Sequence, residues 1–270
     1  TWLGTGQGLA LHDGHRIYAY QTADSLSDGQ FTNLVPQGGI PAIAVMGDTM
    51  AVAYSGDDGS IQVGYGITLT YSAEDTTGIT WTYLKQPVDN EADTLKPFGE
   101  GYYRQLPVTV PQANVTYDAQ ISGDFLWIAS WAGGLRRYHL TKRAWENVPL
   151  PMDDQNSLSL CEGFDETASD GRPILSDYYL NPRDPGDGGN HNHKAFSVIV
   201  FGDTIWVGTA NGINKGILIK EIAETQPNVF EILNCIEWEH YSYPEDGLSG
   251  NFVVGLAKQV WNGQKTIWAA

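Results

Sequence analysis

Several residue types are scarce in this 270-residue chain, and each scarcity narrows what the chain can be. Lys and Arg total 15 against 32 Asp and Glu, which gives a formal net charge of -17. That balance excludes partners that need clustered positive charge, so we expect no binding to nucleic acid or to anionic membranes. No run of about 18 apolar residues occurs, so we expect no insertion into a membrane.

Cysteine and helix-forming segments are also scarce. The only cysteines are Cys161 and Cys235, and they form neither a Cys-x-x-Cys motif nor a metal-ligand spacing. A single disulfide and two free thiols are both open alternatives for them. The nearest approach to a helix signal is Lys220–Thr225, which is too short to be stable alone. The sequence therefore predicts a fold without substantial helix.

The most informative feature that is present is a repeated phrase. A Gly-Asp pair followed by alternating aromatic and β-branched residues occurs at Gly47–Ala53, Gly123–Ala129 and Gly202–Gly208. Gln264–Ala270 is a related run, and Thr1–Thr5 matches the second half of the phrase. A Gly-Asp turn that leads into such a run is typical of a β-hairpin. Its recurrence predicts an array of similar β-units.

Each full unit contains four strand-like runs, in the order inner, phrase, third and outer. Four short antiparallel strands are the size of one propeller blade. The sequence thus predicts an all-β fold, a β-propeller of four-stranded antiparallel blades with about four blades' worth of strands. We expect the phrase-strand tryptophans Trp127, Trp206 and Trp268 to be buried between blades, where large flat rings fill the space between twisted sheets.

The predicted boundaries follow from the positions of these runs. They are a half blade at 1–39, a blade at 40–87, an insertion at 88–113, a blade at 114–148, an acidic insertion at 149–193, a blade at 194–250 and a half blade at 251–270. Two arrangements explain this pattern. The two half blades close into one ring, or the chain is an excerpt from a larger propeller. We favour the excerpt, because the chain begins and ends within strand phrases.

Several stretches resemble the repeats of two-component-regulator-type propellers. Trp206–Ile213 and Trp2–Leu9 are similar to the Trp-x-Gly-Thr-x-x-Gly-Leu phrase of that family, and Asp246–Val253 resembles the segment that leads into its next blade. Ser72–Trp81 is similar to a degenerate Asp-box hairpin, which is a structural feature of blade edges. The combination also resembles large secreted bacterial propeller proteins. The resemblance implies a propeller fold, an extracellular, cell-surface or periplasmic location in bacteria, and a sensor-like role.

Strand parity predicts where a ligand would bind. In an up-and-down sheet, the loops that follow the phrase strands and the outer strands open on one face, and both long insertions lie there. Binding sites concentrate on loops that a rigid scaffold holds. The candidate ligand-binding residues on this face are Trp131, Arg136, Asp57, Asp58 and Asn211. Trp131 would stack on a sugar or peptide ring and Arg136 would bind a carboxylate, whereas ordinary loop packing and a type I′ turn at Asp57 and Asp58 are the alternatives.

The acidic insertion contains candidate metal ligands, namely Asp184, Asp187, Asn190, His191 and His193. Carboxylates, an Asn side chain and a Gly-rich backbone suit Ca²⁺. The two histidines, on one side of an extended strand, would suit Zn²⁺ or Cu²⁺ instead. A solvated acidic turn, with no metal, is the third alternative.

The sequence offers little support for catalysis. It contains no Gly-x-Ser-x-Gly, no His-Glu-x-x-His and no phosphate-binding loop. We therefore predict a non-catalytic extracellular recognition, sensor-like or scaffold module that binds a carbohydrate, peptide or small ligand, or the adjacent domains of its parent protein. A propeller-scaffold glycosidase or lyase is the alternative.

Overall fold

The computed structural model describes residues 1–23, 30–32, 34–36, 38–57, 62–75, 79–85, 94–98, 101–105, 115–131, 133–161, 169–171, 174–178, 191–226 and 229–270. Within these ranges the chain forms 24 β-strands and one short 3-10 turn, His191–His193. The predicted all-β class is therefore confirmed. In the part of the chain that is described, no helix is long and apolar enough to cross a membrane.

The first two sheets lie near the start of the chain. The first sheet has the order β1 (Trp2–Thr5), β2 (Gly8–His12), β3 (Ile17–Ala19). The second sheet has the order β7 (Ile43–Met46), β8 (Thr49–Asp57), β9 (Gln62–Thr70), β10 (Thr80–Leu84), β5 (Gln30–Thr32). Between them in sequence, a short parallel pair is formed by β4 (Gln21–Ala23) and β6 (Leu34–Pro36).

Two further sheets carry the residues of the candidate site. The third sheet has the order β13 (Thr116–Ser122), β14 (Phe125–Ser130), β15 (Gly134–His139), β16 (Ala144–Val148). The fourth sheet has the order β19 (Ala195–Phe201), β20 (Thr204–Thr209), β21 (Gly212–Gln226), β22 (Val229–Tyr241), β17 (Ser157–Ser159). The last hairpin consists of β23 (Leu256–Trp261) and β24 (Gln264–Ala269).

In the second, third and fourth sheets the predicted inner, phrase, third and outer strands are neighbours in that order, and every pair is antiparallel. The inner and phrase strands are joined by two-residue turns. Gly47, Gly123 and Gly202, each the first residue of its turn, have φ between 56° and 67°. A positive φ at this position is the pattern of a type II′ turn, which glycine adopts without steric cost. The predicted Gly-Asp hairpins are therefore confirmed.

Apolar side chains are buried between consecutive sheets. Three clusters occupy the spaces between the first and second, the second and third, and the third and fourth sheets. The alternation of strand side chains explains this arrangement, because Trp127 lies in the cluster toward the fourth sheet while Leu126 and Ile128 lie in the cluster toward the second. The second and third sheets are thus packed on both faces.

The inner strands β7, β13, β19 and β23 line one cavity of about 400 Å³. Side chains join two of these strands where no backbone ladder does. The Gln120 amide bonds both the N–H and the C=O of Val200, each at 2.8 Å. Asp118 accepts hydrogen bonds from the Ser197 hydroxyl and the Val198 N–H at 2.8 and 2.9 Å. Burial raises the pKa of Asp118, and its hydrogen bonds to Val198, Ser197 and Ala119 oppose that rise.

The two insertions contain strands of their own. β11 (Thr94–Phe98) and β12 (Gly101–Gln105) come from the first insertion, and β12 pairs in parallel with β18 (Ile174–Tyr178) from the second. β17, also from the second insertion, adds a fifth strand to the fourth sheet. A disulfide between Cys161 and Cys235 fastens the residues after β17 to β22. It settles the alternative that the sequence left open.

Lys220–Thr225 continues β21, and residues 220–224 of this segment pair with β22. Two of the three phrase-strand tryptophans are not buried as expected, since Trp206 is half-buried and Trp268 is largely exposed. Trp268 is 59% exposed, whereas Trp127 at the equivalent position is 1% exposed. The difference arises because the fourth sheet packs over Trp127.

Candidate functional site

Several loops meet at one end of the third and fourth sheets, which we call the loop face. It comprises Trp131 and Gly133 of the β14–β15 turn, the segment 149–156 after β16, the turn 191–193, the β20–β21 turn at 210–211 and the segment 242–255 after β22. Hydrogen bonds join Asp153, His191 and Asn211 from three of these loops. The loops that follow a phrase strand and an outer strand do lie together here, as strand parity predicted.

Asp153 is the centre of this arrangement. Its carboxylate accepts the N–H groups of His191 and Asn192, each at 2.7 Å. Its Oδ1 lies 3.4 Å from the Asn211 amide nitrogen, which donates to it, and its Oδ2 lies 3.3 Å from His191 Nδ1. Short polar side chains stabilise the start of a helical turn in this way, because they accept N–H groups that have no partner within the turn. Asp153 thereby ties the start of the acidic insertion to its end and to the fourth sheet.

Asn251 attaches the segment after β22 to the same group. Its amide nitrogen donates to Asn211 Oδ1 at 3.2 Å, and its carbonyl oxygen accepts the Gly212 N–H at 2.6 Å. Its side-chain oxygen accepts the N–H of Tyr243 at 2.5 Å. Tyr243 is 52% exposed. An aromatic ring is therefore presented to solvent beside a fixed set of polar groups.

A pair of buried amides lies beneath the surface residues. Asn192 and Asn214 each donate an N–H to the other's side-chain oxygen at 2.8 Å. Asn192 also donates to the Pro151 carbonyl at 2.7 Å and accepts a hydrogen bond from the Thr209 hydroxyl at 2.8 Å. All the polar atoms named here are matched, as buried polar groups must be to avoid a desolvation cost. The pair joins the 3-10 turn to the fourth sheet.

His240 lies beside this amide pair, near the end of β22. The residue is 7% exposed, and its Nδ1 lies 3.0 Å from Asn214 Oδ1. The backbone N–H of His240 donates to the Asn156 carbonyl at 2.9 Å. Burial lowers the pKa of His240, and the carboxylates of Asp153 and Asp246 oppose that shift. Its Nε2 is buried without a hydrogen-bond partner among the described residues.

Of the five predicted ligand-binding residues, Asn211 belongs to the hydrogen-bonded group around Asp153. The other four lie elsewhere or have different partners. Trp131 is half-buried, and Lys194 Nζ lies 5.9 Å from its ring centroid. Arg136 is 1% exposed and donates from Nε to Asn147 Oδ1 at 2.6 Å inside the third sheet. Asp57 is exposed at the end of β8 in the second sheet, and Asp58 lies outside the described residues.

The predicted metal ligands are only partly described. Asp184, Asp187 and Asn190 lie outside the described residues, so the calcium hypothesis stays a prediction. His191 and His193 lie on a 3-10 turn instead of the expected extended strand. His191 is exposed, whereas His193 is buried with its Nε2 3.2 Å from the Leu150 carbonyl oxygen. Among the residues that the structure covers, no group of three His, Cys, Asp or Glu side chains is placed to hold a metal ion.

Sequence reasoning missed most of the residues that build this site, which are Asp153, Asn192, Thr209, Asn214, His240, Tyr243 and Asn251. Their signal is weak, because they are scattered over β20, β21, β22, the 3-10 turn and two loop segments, and no sequence motif joins them. Asn214 directly follows Ile213 in β21, where alternation alone assigns it to the opposite face. The hydrogen bonds that join these residues span up to 58 positions of the chain, and no local pattern encodes them.

No protein-family model matches this chain, and no curated protein is significantly similar to it. Similar solved structures include the extracellular domain attributed to a one component system of B. thetaiotaomicron. It is 16% identical, with a TM-score of 0.37, over 99% of this chain and 30% of its own. A second structure is the extracellular domain attributed to a hybrid two component system of the same organism. It is 14% identical, with a TM-score of 0.31, over 99% of this chain and 35% of its own.

A third similar structure is PorZ, a surface component of the type-IX secretion system of Porphyromonas gingivalis. It is 12% identical, with a TM-score of 0.21, and the match covers 96% of this chain and 48% of PorZ. The chain thus spans about a third to a half of the length of these structures. Similarity at this level is too low to transfer a function.

Proposed function

We propose that this chain is a β-propeller region that acts as a non-catalytic, sensor-like recognition module and binds a carbohydrate on its loop face. The single observation that carries the proposal is the position of Asp153. One carboxylate holds the 3-10 turn, the β20–β21 turn and the start of the acidic insertion in one arrangement. Residues that are held in this way can bind a ligand with little loss of conformational entropy.

The propeller is proposed on the packing of the sheets. Consecutive four-stranded antiparallel sheets bury one apolar cluster in each space between them. Their inner strands line a common cavity. Radial repetition of four-stranded sheets around an axis is the arrangement of propeller blades. The two-component-regulator-type repeats that Trp206–Ile213 resembles have this architecture.

The chemistry of the loop face favours a neutral or amino sugar over an acidic one. Asp153, Glu245 and Asp246 give this region negative charge, and Asn211 and Asn251 supply amide groups for hydroxyl groups. Tyr243 offers an exposed ring on which the apolar face of a sugar can stack. Uronic acids and sialic acids would be repelled by the carboxylates. A peptide ligand would use the same ring and carboxylates through its basic residues.

The disulfide supports an extracellular or periplasmic location. Disulfides persist in oxidising compartments and are rare in reducing ones, and Cys161 and Cys235 are joined. We propose in addition that Ca²⁺ bound by Asp184, Asp187 and Asn190 braces the acidic insertion. This second proposal rests on the sequence alone, since its residues lie outside the described ranges.

The test is a binding screen of neutral, amino and acidic oligosaccharides, followed by a matched pair of variants. Tyr243→Ala should weaken binding of a neutral or amino sugar about tenfold, because a stacked aromatic ring contributes about 1 kcal/mol or more. Tyr71→Ala is the control, since Tyr71 is 50% exposed but follows β9, at the opposite end of its sheet.

The same experiment separates the rival functions. Equal loss in both variants, or preference for acidic sugars, would contradict the loop-face site. Hydrolysis or elimination of a sugar in the screen would support the glycosidase or lyase alternative instead. If basic peptides are added to the screen, binding of peptides but not sugars, abolished by Tyr243→Ala, would keep the site and change the ligand class.

A further inference from the structure

The polar atoms beneath the loop face form one connected series, and the direction of each hydrogen bond in it can be assigned. Pro151 has no N–H, and its carbonyl oxygen can only accept, so the atom of Asn192 that faces it at 2.7 Å is the amide nitrogen. The side-chain oxygen of Asn192 then faces the Thr209 hydroxyl and the Asn214 amide nitrogen. The orientation of the Asn214 amide is thereby fixed as well.

The same logic assigns the proton on His240. Asn214 Oδ1 accepts one hydrogen bond from Asn192 and lies 3.0 Å from His240 Nδ1. An amide oxygen cannot donate, so Nδ1 carries the hydrogen. In the neutral imidazole the other nitrogen, Nε2, therefore carries a lone pair and no hydrogen. This state is compatible with the burial of Nε2 away from any partner among the described residues.

Protonation of His240 would create a second N–H at Nε2, in a place where the described residues offer no acceptor. It would also place a positive charge on a side chain that is 93% removed from solvent, since its exposed fraction is 7%. A buried donor without a partner and a buried charge are both costly. The cost falls if the imidazole reaches water. Water would reach it if the segment that contains Asn156, whose carbonyl accepts the backbone N–H of His240, moved away from β22.

The charged groups around His240 come from two elements. Asp153 lies on the segment after β16 and Asp246 on the segment after β22, and both carboxylates act on His240 through their charge. On its own sheet, Lys215, Glu239 and Tyr241 are joined by hydrogen bonds of 2.8 and 2.6 Å. They lie on the opposite face, because neighbouring strand residues alternate. The carboxylates attract the imidazolium but do not replace the missing acceptor at Nε2.

We propose that His240 is a proton-sensitive switch of the loop-face site, which is assembled while His240 is neutral and opens when His240 is protonated. The switch acts through Asn214 and Asn192 on the two surface loops, because Asn192 is part of the 3-10 turn and Thr209 precedes Asn211. The ligand-binding half of this proposal rests on the proposed function, whereas the stability half does not.

The direction of the pH effect follows from the burial of the ring. Burial lowers the pKa of His240 from its ordinary value of 6.5, so the folded state binds the proton more weakly than the unfolded state does. The contribution of neutral His240 to the free energy of unfolding is therefore fully present above about pH 6.5. It declines as the pH falls from there toward the lowered pKa. Asp153 and Asp246 narrow this window, since they act in the opposite direction.

The test compares His240→Asn with the wild-type chain. The Asn amide nitrogen can donate to Asn214 in place of Nδ1, and the variant has no group that titrates at this position. Between pH 7.5 and 5.5 the melting temperature of the wild type should fall by about 3 °C more than that of His240→Asn. His191→Asn is the matched control, because His191 is exposed on the same face, and it should keep the wild-type fall. An equal fall in wild type and His240→Asn would overturn the proposal.

Two further measurements keep the proposal testable if the variant is unstable. An NMR titration of the wild-type imidazole signals should find His240 as the Nδ1–H tautomer at pH 7.5, with a midpoint below the ordinary histidine value of 6.5. An Nε2–H tautomer, or a midpoint at or above 6.5, would overturn it. For any sugar found in the binding screen, the wild type should lose affinity between pH 7.5 and 5.5 while His240→Asn keeps it. Equal loss in both proteins would overturn the coupling to binding, and a screen without a binder would contradict the proposed function alone.

Discussion

The second, third and fourth sheets place a buried polar residue at one equivalent point of the third strand. Thr68, Arg136 and Asn214 lie opposite Val52, Ile128 and Val207 of the respective phrase strands. All three polar residues are buried. The repeat therefore preserves the position of a polar group in the core and varies its chemistry.

The difference lies in where the hydrogen bonds lead. The Thr68 hydroxyl donates to the Tyr54 hydroxyl at 3.0 Å, and Arg136 donates to Asn147 at 2.6 Å, so both bonds stay within one sheet. Asn214 bonds Asn192 in the 3-10 turn and His240 in β22. The fourth sheet is thus connected to the loop face through its core.

The largest expected effect concerns the edge strands of the second and fourth sheets. The second and fourth sheets each have a fifth strand, but only β17 of these two has a disulfide beside it. Cys161 and Cys235 are 74 residues apart. Closing a loop of that length restricts the unfolded chain, so reduction should lower the free energy of unfolding by about 4 kcal/mol. Urea unfolding followed by tryptophan fluorescence, with and without reductant, measures this loss.

The double variant Cys161→Ser with Cys235→Ser is the control for reduction. It should unfold at the lower urea concentration of the reduced protein, and reductant should not change it further. A reduced wild type that unfolds at the same urea concentration as the oxidised one would show that the fourth sheet does not depend on the disulfide.

The second prediction concerns an ion pair that occurs at the same position in the third sheet and in the fourth sheet. Arg137–Glu146 and Lys215–Glu239 are the basic and acidic partners at equivalent positions of the two sheets, with distances of 2.5 and 2.8 Å. Arg137 is buried and Glu239 is exposed, and burial lowers the pKa of Arg137 although Glu146 opposes that shift. Glu146→Gln should therefore cost about 3 kcal/mol of unfolding free energy.

Glu239→Gln is the matched control and should cost under about 1 kcal/mol, because exposed pairs contribute little. Chemical unfolding of both variants measures the two costs. Similar losses would mean that the burial of the third-sheet pair does not set its contribution.

The smallest expected effect compares one substitution in two sheets. Thr68→Val removes the hydroxyl that donates to Tyr54 and should cost about 1 kcal/mol, without an effect on ligand binding. Thr209→Val removes the hydroxyl that bonds both Asn192 and Asn211. It should cost a similar amount or slightly more and also weaken binding. Equal binding by both variants would separate the core of the fourth sheet from the loop face.

The strand array was predictable from the sequence because it is encoded locally. Gly47, Gly123 and Gly202 mark the hairpin turns, and alternating apolar residues indicate the strands that follow. The extension of β21 through Lys220–Thr225 was not predictable. These residues have no strong strand pattern of their own, and β22 supplies the partner.

Parity of the strands predicted which loops lie together, because parity is a property of the repeat, and Asn211 lies on one of these loops. Ligand binding there stays a prediction. Asp153 and His240 could not be found in this way. The role of Asp153 depends on Asn192 at the far end of the insertion. The role of His240 depends on Asn214, its cross-strand neighbour in β21, whose amide bonds Asn192 in turn. Such contacts are set by tertiary packing, and a single sequence does not record them.

The most direct test of the account is an NMR titration that follows side-chain amide signals while a neutral or amino sugar is added. We expect shifts for Asn211 and Asn251 at the loop face, and none for Gln120, which lines the cavity between the inner strands. Shifts of Gln120 with unchanged Asn211 and Asn251 would contradict it, because the ligand would then bind along the inner strands and not on the loops.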